Sequence, residues 1–178
     1  ATGSGVIFGA TGGVMEAALR TVIELVTGAK VETLFENANI IPVRGFDGCR
    51  IVELPAIEAV GPVPEILKHL VPSWDWLKGA KLKVGVAHGT ANAKKVMENI
   101  KAGGEFASCH FIEIMGCPGG CIGGGGQPIP TSAEIRAKRA AAIYAEDMAY
   151  DIRKSHENPA VLKLYTEFLK DGPCGHLS

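Results

Sequence analysis

No stretch of this sequence approaches the roughly 20 consecutive apolar residues that a membrane-spanning helix requires. The opening "ATGSGVIFGATGG" lacks the basic segment and long apolar core of a secretory signal. Neither membrane insertion nor secretion is expected. An excess of charge of one sign is missing too: 18 Lys and Arg against 19 Asp and Glu leave a net charge of -1, spread along the chain. Such a balance gives no electrostatic footprint for nucleic acid or anionic lipid. The chain also lacks an initiator Met and opens directly on glycine-rich sequence, so it is read as a processed product or a piece of a longer polypeptide whose function needs the remainder. A disulfide framework is absent from the pattern. The five cysteines, Cys49, Cys109, Cys117, Cys121 and Cys174, are odd in number and include one close pair, which points to a reducing compartment.

What remains is a chain of 178 residues, 47% hydrophobic and 21% charged, which suits one globular domain with a real core. "VMEAALRTVIELVTG" (14–28) reads as a helix, with Glu16, Arg20 and Glu24 forming a charged i, i+4 stripe and Gly28 as its stop. "CRIVEL" is strand-like, and 56–80 is a loop rich in Pro with one short helix around residues 65–70. "KLKVGVAHG" (81–89) reads as a buried strand, "TANAKKVMENIKAGG" as a helix with Ala93, Val96, Met97 and Ile100 on one face, and "CHFIEIMGC" as a second strand. That order is a parallel βαβ unit, whose sites lie beyond the strand C-termini. The fold class is therefore α/β, a small parallel sheet flanked by helices. Downstream, 133–154 is helical with Ala137, Ala141, Tyr144, Met148 and Ile152 in one stripe. Asn158 and Pro159 open a last helix that buries Val161, Leu164, Tyr165, Phe168 and Leu169.

The chemistry concentrates in "EIMGCPGGCIGGGGQPIP" (113–130). Two thiolates in one tight turn suit an iron-sulfur cluster, zinc, copper or a redox disulfide. Zinc would need two further ligands, and no other Cys or His stands at finger spacing, although His110 and His156 could be recruited by folding. A redox pair of thioredoxin type has two residues between its cysteines, whereas Pro118, Gly119 and Gly120 make three. A cluster fits best, since glycines at 119, 120 and 123–126 let backbone pass close to a bulky anion and offer N–H groups to its sulfurs. The opposing reading is a slack glycine linker. Gly3, Gly5 and Gly9 miss the dinucleotide fingerprint by one residue. Gly12 and Gly13 instead suit the approach of an anion to a helix N-terminus, or a plain helix-start turn. Trp74, Trp76, His88 and His156 are read as structural, and Cys49, Cys109 and Cys174 as small buried hydrophobes.

"MGCPGGCIGGGGQP" (115–128) resembles the C-terminal H-cluster motif of the iron-only, or [FeFe], hydrogenases, and "GVIFGATGGVMEAALR" (5–20) resembles the segment that lines the same cluster. "AIYAEDMAYDIRKSHENPAVLKLYTEFL" (142–169) is similar to the C-terminal extension of the cytoplasmic, multisubunit members. The resemblance covers nearly the whole chain, with 55–80 longer than the usual hairpin. It implies one lobe of the two-lobed H-cluster domain over 1–130, with cluster-binding loops at 3–14 and 113–128, and a helical extension over 131–178. It implies a [4Fe-4S] cubane joined to a diiron unit bearing CO, cyanide and a bridging dithiolate, and reversible interconversion of H2 with protons and electrons. On that resemblance Cys117 ligates the cubane, and Cys121 ligates it and bridges to the diiron unit. Met115, Phe8 and Val14 line the diiron pocket, while Gly9, Gly12, Gly13, Gly119 and Gly120 permit close approach. The other two cysteine ligands, the proton-relay cysteine and the cyanide-binding lysine belong to motifs upstream of this sequence, as do further [4Fe-4S] or [2Fe-2S] clusters. The implied partners are the N-terminal half of the same subunit and ferredoxin or NAD(P)-linked subunits. A non-catalytic iron-sulfur scaffold or assembly protein, and an H2-sensing paralogue, are the alternatives.

Overall fold

The computed structural model describes residues 1–29 and 40–176. A short helix α1 (Gly3–Val6) leads through a tight turn into α2 (Gly13–Thr27). Gly12 and Gly28 bound α2 with φ of 85° and 69°, the left-handed region in which only glycine is unstrained. Strand β1 (Cys49–Ala56) follows, then the Pro-rich segment, β2 (Lys81–His88), α3 (Thr90–Lys101) and β3 (Phe111–Met115). The sheet order is β1-β2-β3.

β2 and β3 pair in parallel from Val84↔Phe111 to His88↔Met115, with α3 as their crossover, as the sequence pattern predicts. The third strand changes the picture from parallel to mixed: β1 runs antiparallel to β2, with Cys49 opposite Ala87. An antiparallel edge on a parallel pair needs no second crossover helix, and a long connection is enough to bring the chain back.

α2 covers one sheet face. Met15, Leu19, Ile40, Val43, Val52, Leu54, Val84 and Val86 form the main core there, and each such side chain contributes about 1.5–3 kcal/mol on burial. The other face leaves so little room that a Cβ on Gly85 would lie 2.9 Å from the Phe106 ring. The segment 56–80 has no α-helix; it makes 3-10 turns at Glu65–Leu67 and Asp75–Leu77. It carries its own small core, in which Val26, Ile57 and Trp74 are buried and the Trp74 indole N–H donates to the Gly61 carbonyl at 2.7 Å.

The C-terminal part departs from the expected stripes. α4 runs Ala133–Ala149, shorter than predicted. Its inward positions are Ala140, Ile143, Tyr144 and Asp147, whereas Ala137, Ala141 and Met148 face solvent. The stripe is displaced because its anchor is a carboxylate, which a search for apolar periodicity passes over. In α5 (Pro159–Lys163) the Asn158 side chain caps as expected, but Leu164 and Phe168 are 44% and 66% exposed. On α3, Val96 is buried while Met97 and Ile100 stay largely exposed. The sheet is small enough to be covered by fewer side chains than a full helical stripe provides.

The predicted charged stripe of α2 is the largest surprise. Glu16 and Arg20 are both 1% exposed. Arg20 donates from Nη2 to Glu16 at 2.7 Å, and from Nη1 and Nη2 to the two oxygens of Asp147 at 2.7 and 2.8 Å. Arg44 closes the group, with Nε and Nη2 on Glu16 at 2.6 and 2.7 Å, while its guanidinium lies 3.9 Å from the Tyr144 ring centre. A second tie joins Lys154 to Glu24 at 2.6 Å. No described helix is long and apolar enough to cross a membrane.

Candidate metal cluster site

β3 ends at Met115, and the chain turns at once into the cysteine loop. Gly119 and Gly120 take φ of 84° and 92°. Their turn is closed by the Gly120 N–H on the Cys117 carbonyl at 3.0 Å, and the next turn by the Gly124 N–H on the Cys121 carbonyl at 3.0 Å. A Cβ at Gly123 would sit 2.0 Å from the Pro118 carbonyl oxygen, and one at Gly124 would sit 2.9 Å from the Cys117 sulfur. The tight fold therefore requires glycine at 119, 120, 123 and 124, which removes the slack-linker reading for those four positions. At Gly116, Gly125 and Gly126, by contrast, the space beside the backbone is open.

Thr11 donates its N–H to the Gly119 carbonyl at 3.0 Å, joining the loop 3–14 to the loop 113–128. Gly120 passes so close that a Cβ there would lie 2.7 Å from the Gly9 carbonyl oxygen. Ala10 and Ile122 pack together with Ala140 of α4. Downstream, Arg139 of α4 donates to the carbonyls of Ile122 at 2.8 Å and Pro128 at 2.7 Å. The two segments singled out in the sequence, about 100 residues apart, thus form one unit.

His88 ends β2, and its Nδ1 accepts the Gly119 N–H at 2.9 Å, a structural role as expected, though one spent on the cysteine loop itself. His156 likewise contacts Thr21 and Glu24. All five cysteines are free thiols. Cys117 is half-buried and Cys121 exposed. Cys49 and Cys109 are half-buried, where full burial was expected, and burial pushes the Cys109 thiol up. Cys174 is exposed, and Trp76 is 72% exposed. Among the pocket-lining candidates, Phe8 is 45% exposed, and Val14 and Met115 are half-buried.

One residue of the site was not singled out in the sequence. Glu113, inward-facing on β3, is 6% exposed. Its Oε1 accepts the Gly12 N–H at 2.6 Å and its Oε2 the Met15 N–H at 2.7 Å. The anion at the α2 N-terminus is thus a side chain of the protein. Burial pushes its carboxyl above the ordinary range, against the opposing pull of those N–H groups and of Arg50. A signal was present: α2 begins at a glycine with no side-chain cap, and the strand before the cysteines carries a single acid.

The residues fit a cluster in part. Two free thiols in a glycine turn, with open space beside Gly116, Gly125 and Gly126, offer soft ligands and backbone clearance. Among the described residues these thiols belong to no group of three or more ligands, so a cluster needs donors from elsewhere. The one such group, Glu24, His156 and Glu157, holds the Lys154 ammonium, 2.6 Å from Glu24 and 2.8 Å from Glu157.

Comparison with known proteins agrees with this geometry. Residues 1–125 match the family described as iron only hydrogenase large subunit, C-terminal domain, and residues 133–178 match iron hydrogenase small subunit. The chain belongs to the iron-only hydrogenase family. It is 43% identical over 169 residues to the NADP-reducing hydrogenase subunit HndD of Solidesulfovibrio fructosivorans, covering 94% of this chain and 24% of that one. A variant of [FeFe]-hydrogenase HydA1 from Chlamydomonas reinhardtii superposes with a TM-score of 0.63 at 42% identity, over 95% of this chain and 42% of that one. A cytosolic Fe-S cluster assembly factor of Drosophila erecta is 34% identical over 89 residues, 49% of this chain and 18% of that protein. The chain spans about a quarter of the length of the curated hydrogenases it matches.

Proposed function

We propose that this chain forms one wall of an H-cluster site in an [FeFe]-hydrogenase catalytic subunit, with 1–130 as a lobe of that domain and 131–178 as an extension packed on it. The observation that carries the reading is the joining of the cysteine loop to the 3–14 loop through Thr11 and Gly119. When bound, such a group supplies the reversible interconversion of H2 with two protons and two electrons.

The Cys117 and Cys121 thiolates would hold it, Cys117 as a ligand of the cubane and Cys121 as a ligand of both the cubane and the diiron unit. Gly9, Gly12, Gly13, Gly119 and Gly120 let backbone lie near it. Met115, Phe8 and Val14 supply an apolar lining that excludes water. The 45% exposure of Phe8 suits a lining residue whose opposite wall comes from the N-terminal half. Two further cysteine ligands, the proton relay and the wiring clusters belong to that half. Electrons pass to ferredoxin or NAD(P)-linked subunits, a reading supported by the similarity to HndD and by the small-subunit match of the tail.

The test is infrared spectroscopy of the chain joined to its upstream half and matured anaerobically. Bands of metal-bound CO and cyanide are expected. In Cys121→Ala they vanish together with hydrogen evolution, whereas near-normal turnover by that variant would sink the assignment. A plain cubane without those bands would favour the scaffold reading, to which the assembly-factor similarity gives a specific basis.

A further inference from the structure

We propose that Glu113 is a positioning residue of this site: its carboxylate fastens the strand that delivers the cysteines to the loop that delivers Phe8 and Val14, so that the two walls hold one spacing. The inference rests on the hydrogenase reading of the site.

Glu113 stands two residues before Met115 and four before Cys117, on the last strand before the cysteine turn. Its partners, Gly12 and Met15, flank Gly13 and Val14. The bond lengths of 2.6 and 2.7 Å are those of charge-assisted hydrogen bonds. Both donors are main-chain groups at the start of α2, where the helix field also favours a negative charge. Among the described residues no other side chain accepts from these donors: α2 has no capping hydrogen bond from Gly12, and a Cβ there would meet the Val43 carbonyl oxygen at 2.0 Å.

Across the sheet, Arg50, Val86 and Glu113 occupy one row, Arg50 paired with Val86 and Val86 with Glu113. The guanidinium therefore lies on the carboxylate's face and favours its ionised form. The Thr11–Gly119 bond and the His88–Gly119 bond act on the loop after Cys117. Glu113 is the side chain that secures the strand before it. With both sides tied, Cys117 is held between two fixed points, and a metal group spanning the walls would meet a preset gap.

The experiment uses the chain joined to its upstream half, as wild type, Glu113→Gln, Glu113→Asp and, outside the site, Lys154→Met. Amide hydrogen exchange before maturation reads the clamp directly. Glu113→Gln, which turns an NH2 group towards one N–H, is expected to speed exchange at Gly12 and Met15 about tenfold or more, the loss of one charged hydrogen bond. Glu113→Asp keeps the charge but reaches fewer donors, and restores part of the protection. After maturation, the Gln variant is expected to show shifted or broadened CO and cyanide bands, with Asp lying between it and wild type. Lys154→Met should lower the thermal midpoint and leave the bands where they are. Unshifted bands in Glu113→Gln despite faster exchange would reduce Glu113 to a helix cap, and unchanged exchange would remove the clamp altogether. Should the Gln variant not fold, the Asp variant decides by the same two readouts. If wild type shows no CO and cyanide bands, the hydrogenase reading fails instead, while the exchange result still reports on the clamp.

Discussion

Helix α2 is held at its two ends by different chemistry. At its N-terminus the segment itself contributes backbone groups: the N–H groups of Gly12 and Met15 donate to the Glu113 carboxylate, and that of Thr11 to the Gly119 carbonyl. Further along, the partners are charged side chains from the extension, Asp147 with Arg20 and Lys154 with Glu24. Main-chain donors cannot be substituted away and sit where the local backbone puts them, so the cysteine side is specified by geometry. The extension side depends on pairs in which each charge needs the other, because an ion left alone in the interior costs far more than the pair gains.

That contrast can be broken most severely at Arg20. Arg20→Met removes the charge shared by the buried carboxylates of Glu16 and Asp147, leaving Glu16 with Arg44 alone and Asp147 with Arg153 alone, and urea unfolding should show a loss of about 3–5 kcal/mol. A loss below 1 kcal/mol would mean that water reaches the cluster. On the geometric side, Gly12→Ala should cost about 1–2 kcal/mol from the left-handed backbone alone. The clash with Val43 adds to it. A variant of unchanged thermal midpoint would show that the turn is soft.

Acid separates the two attachments by sign. Burial alone would raise the Asp147 carboxyl, but hydrogen bonds from Arg20 and Arg153 hold it below the ordinary range. Glu24 is lowered likewise, by Lys154 and His156 against its own burial. Their contribution is complete above the unfolded-chain values of about 4 and drains away as pH falls through the lower folded values. Glu113, raised by burial, takes up its proton first, and the global balance there tips slightly towards the folded state. Urea midpoints between neutral pH and pH 3 should hold or rise a little before they fall. A steady decline from pH 6 would contradict the assignment. The smallest effect belongs to the exposed Glu134–Lys138 pair on α4. Glu134→Ala should leave stability within about 0.5 kcal/mol.

Much of this was legible in the sequence where a rule is local. The alternation in 81–89, the helix after it and the second strand gave the βαβ unit, and the two motifs marked the loops that Thr11 joins. Non-local decisions were not legible. Glu16, Arg20 and Glu24 look like a solvated stripe until Asp147 and Lys154, some 130 positions on, arrive to neutralise them. The α4 stripe was misread by one position for the same reason. Glu113 escaped notice because a lone acid in a strand normally points to water. The antiparallel pairing of β1 was hidden by the long segment between it and β2.

That long segment has one more consequence. Trp74, Ile57 and Val26 close it into its own anchor on the C-terminal end of α2. Val26 lies thirteen residues along the helix from Gly13, about 20 Å of rigid rod at 1.5 Å per residue. Insertions between 56 and 80 that spare Ile57 and Trp74 should therefore be absorbed far from the cysteines, and the exposed part of this stretch is where a fluorescent tag or an affinity peptide is expected to be tolerated without disturbing the cysteine loop.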